Sequence, residues 1–179
     1  SVNSMMIGGG YTSKAYGGLQ SGRPIELEAK DAELVMRAFP KIVENITATI
    51  SLSQEVVYQD NSVSVQLQAC YPEYMANEGL KLQYGRFINR KDLEERRKVV
   101  VITDQMAEIF TGSGSRVSSM LGRMVKCGGI NFMVIGILKS DMSSYTRNVY
   151  APFTSVSTIF NRGKYVDELT FTFHGLEPE

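Results

Sequence analysis

The stretch from Leu80 to Leu138 constrains this chain more than any other part of it. Leu80-Lys81-Leu82-Gln83-Tyr84-Gly85-Arg86-Phe87 leads into a charged run and then into Val99-Val100-Val101-Ile102. A short helical pattern follows, then Gly128-Gly129 and the apolar run from Phe132 to Leu138. An unbroken β-branched run such as Val99–Ile102 predicts a strand buried on both faces. A Gly-Gly pair suits positive φ at both central positions of a two-residue hairpin, so Met124–Cys127 and Ile130–Leu138 are its predicted arms. Gly136, inside the second arm, predicts a bend or bulge. Elements this short and this densely punctuated must form a compact folded unit.

The flanks extend the pattern. Ile46, Ala48, Ile50 and Leu52 alternate with Thr47, Thr49, Ser51 and Ser53; Val63, Val65, Leu67 and Ala69 alternate with Ser64, Gln66 and Gln68. Period-two alternation predicts two antiparallel strands with one buried and one wet face, joined through Gln59-Asp60-Asn61-Ser62. The uncharged Thr/Ser/Gln face reads either as plain solvated sheet or as a polar docking surface. Ala32, Val35, Met36 and Phe39 share one helical stripe, which predicts a helix over about 29–39 ended by Pro40. The glycine-rich residues 8–23 read as a loop, because Gly8-Gly9-Gly10 lacks the Gly-Lys-Ser/Thr of a phosphate loop.

Further elements are short. Tyr71–Met75 predicts a helical turn around Pro72, Leu82 and Tyr84 a brief strand, and Arg86–Lys98 a solvated charged turn or helix. Thr103 is the expected N-cap of a helix whose apolar stripe is Met106, Ile109 and Phe110. A strand at Val149–Phe153, a helix at Ser155–Asn161 and a last strand at Val166–Phe173 complete the chain. The class is α+β with mostly antiparallel pairing.

Composition narrows the function. Nineteen basic and nineteen acidic residues give no net charge, which disfavours nucleic acid as a partner. No apolar run approaches the roughly 18 residues that span a bilayer. Residues 1–4 show neither the basic region nor the apolar run of a cleavable signal. Cys70 and Cys127 fit no metal spacing and read as small apolar core residues, with a disulfide open only in an oxidising compartment.

Catalytic equipment is missing too. The one histidine, His174, ends the predicted last strand. Neither cysteine sits in a nucleophile context, and the neighbours Glu94 and Glu95 cannot face each other on a helix. No catalytic, cofactor-binding or metal residues are therefore assigned, and the chain is read as non-enzymatic. With no tryptophan and scattered tyrosines, an aromatic sugar platform has no support in the sequence.

The middle block carries a resemblance. Gly85-Arg86-Phe87-Ile88, Asp92-Leu93-Glu94-Glu95-Arg96-Arg97-Lys98-Val99-Val100-Val101, Leu121-Gly122-Arg123-Met124-Val125, Phe132-Met133-Val134-Ile135-Gly136-Ile137-Leu138 and Val149-Tyr150-Ala151-Pro152-Phe153, in this order and spacing, resemble the extracytoplasmic domain of MacB/FtsX-type ABC transporter permeases. The likeness runs more loosely from Pro24 to Phe173. It implies a porter-like α+β lobe of mixed, mostly antiparallel sheet over residues 1–70 and 150–179, interrupted by a smaller β-rich lobe over 71–149. It implies a domain held between two membrane helices outside the cytoplasmic membrane, on the periplasmic or extracellular side. ATP hydrolysis would belong to a cytoplasmic ATP-binding subunit or domain, linked indirectly through those helices. This domain would couple conformational change to substrate export or to a periplasmic or outer-membrane partner protein, with a homodimer in the full transporter. No cofactor is implied. Arg86, Tyr145 and Arg147 are the expected partner-contact residues. The resemblance also leads one to expect a further helix and strand after Gly175–Glu179, without which a sheet edge is bare. Two other readings remain: a stand-alone extracellular binding or adhesion module, and a hydrolase with an unrecognised site.

Overall fold

The computed structural model describes residues 2–8, 10–11, 24–25, 46–142, 145–160 and 168–174, with side chains over 49–142 and 145–160. The strands are β1 Val2–Gly8, β2 Gly10–Tyr11, β3 Pro24–Ile25, β4 Ile46–Tyr58, β5 Asn61–Cys70, β6 Leu82–Gly85, β7 Val99–Thr103, β8 Met124–Cys127, β9 Ile130–Leu138, β10 Asn148–Pro152 and β11 Glu168–His174. The helices are α1 Tyr74–Asn77, α2 Arg90–Glu94, α3 Asp104–Thr111 and α4 Phe153–Ile159, with a 3₁₀ segment at Gly114–Met120. The helix predicted near 29–39 lies outside the described residues, as does most of the glycine-rich stretch. Within that stretch Gly10–Tyr11 pairs with Pro24–Ile25.

One nine-stranded sheet organises the molecule in the order β1-β11-β4-β5-β10-β7-β9-β6, with β8 bridging β4 and β9. Most neighbours are antiparallel; β10 with β5 and β7 with β9 are parallel. The class is therefore α+β with mixed, mostly antiparallel pairing, as the alternation patterns predict.

The two faces of the sheet bury different side chains. Leu67, Val100, Ile102, Phe132, Val134, Ile137, Val149 and Ala151 point into the larger core, against Met106, Ala107 and Phe110 of α3 and Phe153 and Val156 of α4. Their chain neighbours Val101, Leu138 and Tyr150 point to the other face, where Phe87, Ile88 and Cys70 meet them and Tyr74 of α1 packs alongside. The central position of β7, with both faces covered, explains its unbroken apolar run.

Several local readings hold. Thr103 accepts from the Met106 amide at 3.4 Å and caps α3. Gly128 and Gly129 have φ of 60° and 80°, and Cys127 pairs with Ile130 across them. Cys70 and Cys127 are buried free thiols.

Others shift. β4 and β5 close to a two-residue turn, Gln59-Asp60, so Asn61 and Ser62 belong to the strand. The turn helix α1 begins at Tyr74, after Pro72. Ile109 is exposed and Ala107 takes the inward place. α4 starts at Phe153, directly after Pro152. The charged run departs most: Asp92 is fully buried, for the reason given next.

Candidate functional site

Asn89 ends an extended segment and caps α2. Its side chain accepts from the Asp92 amide at 3.0 Å while the Asp92 carboxylate accepts from the Asn89 amide at 2.9 Å. This reciprocal box turns Asp92 inward. Arg86 then donates to both its oxygens, at 2.7 and 3.0 Å, and Arg97 adds a bond at 3.3 Å. Burial alone would raise the Asp92 pKa. The opposing hydrogen bonds from Arg86 and the Asn89 amide, the Arg86 charge and the Arg97 bond outweigh it and hold the carboxyl below its ordinary value. Arg86 also donates to the Phe87 carbonyl at 3.1 Å. The guanidinium of Arg86, an expected partner-contact residue, fastens the end of β6 to α2 while its side chain stays 42% exposed. The Asn-x-x-Asp spacing is the signal that marks this node in the sequence.

Tyr145 and Arg147 lie elsewhere, on the exposed segment that enters β10. The Gln66 amide donates to the Arg147 carbonyl at 2.8 Å, so this segment is tied to β5 before β10 begins. Beside it, on the wet face of β4 and β5, runs an open groove of about 630 Å³. Ser53, Glu55, Ser64 and Gln66 line one part of it, and Tyr145, Thr146 and Arg147 another. The Tyr145 ring is fully exposed.

The polar face is internally connected. Ser51 donates to the Gln66 carbonyl oxygen at 3.0 Å and Gln66 donates to Ser53 at 2.8 Å. Gln68 reaches Ser51 and Asn148, both at 3.2 Å. These cross-strand bonds hold the amide planes in fixed orientations.

A second hollow of about 220 Å³ adjoins the groove through Thr146 and Arg147. It lies where the parallel strands β7 and β9 end, with Thr103, Lys139, Ser140 and Asp141 around it and Tyr150 beneath. Asp104 Oδ1 accepts from the Ser140 amide at 3.0 Å and so ties the start of α3 to the loop after β9. Burial pushes the Tyr150 hydroxyl up to about 12, helped by the nearby charge of Glu78.

Among the described residues no group of His, Cys, Asp and Glu is arranged to hold a metal ion, and no helix is long and apolar enough to cross a membrane. Glu95 pairs with Arg97 at 2.7 Å. His174 ends β11, in register with Val2. The described arrangement suits binding by neutral hydrogen-bonding groups.

Comparisons with known proteins agree with this architecture. Residues 2–174 match the family model of the MacB-like periplasmic core domain. The macrolide export ATP-binding/permease protein MacB of Shewanella oneidensis is 27% identical over 160 residues, 87% of this chain and 24% of that protein. The corresponding protein of Hahella chejuensis is 28% identical over 162 residues, 88% of this chain and 23% of that protein. The chain thus spans about a quarter of the length of these curated relatives. The periplasmic region of MacB from Actinobacillus actinomycetemcomitans superposes with a TM-score of 0.64 at 24% identity, over 99% of this chain and 77% of that one. The extracellular domain of the transporter YknZ from Gram-positive bacteria also gives 0.64, at 22% identity, over 93% of this chain and 82% of that one. At these identities the structural neighbours establish the fold, and the family match over nearly the whole chain establishes the rest: the chain belongs to the MacB-like periplasmic core domain family, whose relatives are ABC transporter permeases.

Proposed function

We propose that this chain is the non-enzymatic outer domain of an inner-membrane ABC permease subunit and couples movement of two flanking membrane helices to export of a substrate or to a partner protein. The match of residues 2–174 to the periplasmic core domain carries the reading. A domain of this kind needs stiffness and a surface. The clasp of Arg86 and Arg97 on buried Asp92 and the double-sided core supply the first. The groove beside Tyr145 and Arg147 supplies the second.

In this reading a cytoplasmic ATP-binding subunit or domain drives the motion, the subunit works as a homodimer, and a periplasmic or outer-membrane protein contacts Arg86, Tyr145 and Arg147. Residues 1–70 with 150–179 form a porter-like lobe and 71–149 the inserted lobe. The shared sheet, in which β10 lies between β5 and β7, would transmit displacement between them.

The test is an in-frame deletion of residues 2–174 in the complete gene, followed by measurement of ATP-driven export from cells. Loss of export with the ATP-binding part still hydrolysing ATP supports coupling. Export at the full rate, or a gene with no membrane spans beside this segment, overturns it and favours the stand-alone binding module. Limited proteolysis with cuts clustering near residues 70 and 150 would support the two lobes.

A further inference from the structure

We propose that the groove formed by β4, β5 and the Tyr145–Arg147 segment is a binding site for an uncharged polyhydroxylated ligand, an oligosaccharide chain. Its volume, about 630 Å³, lies within the range of small-molecule sites. Its lining sets the ligand chemistry by exclusion and by fit.

Apolar ligands do not fit. Among the described residues Val65 is the one aliphatic lining residue and it is buried toward the core. An extended peptide has little backbone to pair with: β5 is bonded to β4 from Asn61 to Ala69 and to β10 from Gln66 onward, so only the short edge over 61–65 lacks a β10 partner. A strongly charged ligand is disfavoured, because among the described residues the lining holds one carboxylate, Glu55, and one guanidinium, Arg147.

What remains is hydroxyl and carboxamide chemistry. Gln66 is central to it. A carboxamide has two N–H donors and an oxygen with two lone pairs. Gln66 gives one N–H to Ser53 and takes one hydrogen bond from Ser51. One donor and one acceptor remain on the same carboxamide, and the serines fix its orientation. Vicinal hydroxyls on a sugar ring donate and accept in the same alternation. Because the orientation is set before binding, little side-chain entropy is lost on complex formation. Ser64 and Arg147 add donors around it, and Glu55 adds an acceptor.

The Tyr145 ring supplies the second element. It stands fully exposed at the groove, on a segment tied to β5 by the bond from the Gln66 amide to the Arg147 carbonyl. An aromatic face beside fixed polar groups receives the C–H face of a sugar ring, and tyrosine suits such half-wet positions. With a single ring the site is a weak one, in the millimolar range of about −4 kcal/mol.

The experiment is a ¹H–¹⁵N correlation titration of the 179-residue chain with chitotetraose and with maltotetraose, to about 20 mM each, with tetraglycine as the peptide probe. The expected result is saturable shifts confined to residues 53–55, 64–66 and 145–147 with at least one sugar. Tyr145→Ala, which removes only exposed atoms, and Gln66→Leu should each weaken binding by about tenfold or more, as hot-spot residues do. Leu82→Ala, on the distant β6 strand, should leave it unchanged. Absence of saturable shifts with both sugars, equal shifts with tetraglycine, or full affinity in Tyr145→Ala would overturn the proposal.

Discussion

Gly136 of β9 lies directly under the carbonyl of Arg86, so close that a Cβ at Gly136 would sit inside contact distance of that oxygen. Gly136 is also the register partner of Gly85, whose own φ is 72° and whose Cβ would strike the Ile135 carbonyl. The approach has a use. Between β7 and β9 the register slips at Val100/Val101, leaving Ile135 as the extra residue of a bulge. The Arg86 amide donates to the Ile135 carbonyl at 3.0 Å and thus satisfies the bulged backbone. The two glycines let this happen, and the same turn aims the Arg86 side chain at Asp92.

Gly136→Ala should therefore destabilise the fold by roughly 1–3 kcal/mol, toward the upper end because the obstacle is backbone rather than a mobile side chain. Thermal unfolding of the purified chain measures this. A midpoint within 1 °C or so of wild type would show that β6 can move away freely.

Asp92→Asn tests the clasp. The carboxamide keeps the shape but loses the charge and turns N–H groups toward guanidinium. A loss of about 2–3 kcal/mol is expected, below the roughly 3–5 of a fully buried pair because both arginines can turn to water. The pH dependence has a definite sign. The folded carboxyl has a pKa below its ordinary value, so the stability it contributes is present above about pH 3.9 and disappears as pH falls below that. The stability gap between wild type and Asp92→Asn should accordingly narrow in acid. A gap that widens below pH 4 would contradict the assignment.

Phe132 is among the largest fully buried side chains and joins β9 to the main core. Phe132→Ala should cost about 3–5 kcal/mol, lowering the midpoint by roughly 6–20 °C in a chain of this size. An unchanged midpoint would mean the hairpin carries no core.

At alkaline pH three buried groups act together. Burial pushes the Cys127 thiol up to about 11 and the Tyr150 hydroxyl up to about 12, and raises Cys70 further still. Each holds its proton more tightly when folded, so its contribution is intact below its unfolded pKa and is lost as pH rises toward the folded value. Stability should be flat to roughly pH 8.5 and fall above it. Denaturant midpoints read across this range check it. A thiol reagent at pH 8 should label neither cysteine until denaturant is added, and rapid native labelling would refute the burial.

Much of the fold is legible because it is local. Alternation in β4 and β5, the Gly128-Gly129 turn, the Thr103 cap and the buried run of β7 are all properties of a few adjacent residues. The candidate site is less so. Ser53 and Gln66 are register partners across the β4–β5 hairpin, but Tyr145 joins them only because β10 runs parallel to β5 and draws the preceding segment along it. The run Arg86–Lys98 reads as solvated because charged runs usually face water. The capping box at Asn89 and Asp92 reverses that for Asp92, and nothing in charge pattern alone distinguishes the buried carboxylate from Glu94 beside it.

The amino-acid order determined which segments became strands, where they turned and which family they match, because periodicity, turn residues and spacing act over a few positions. Tertiary structure decided the strand order, the burial of Asp92, the bulge under Gly85 and Gly136 and the groove at Tyr145. Each of these depends on backbones remote in sequence meeting at hydrogen-bonding distance, and that meeting is set by how the two faces of the sheet bury their apolar area.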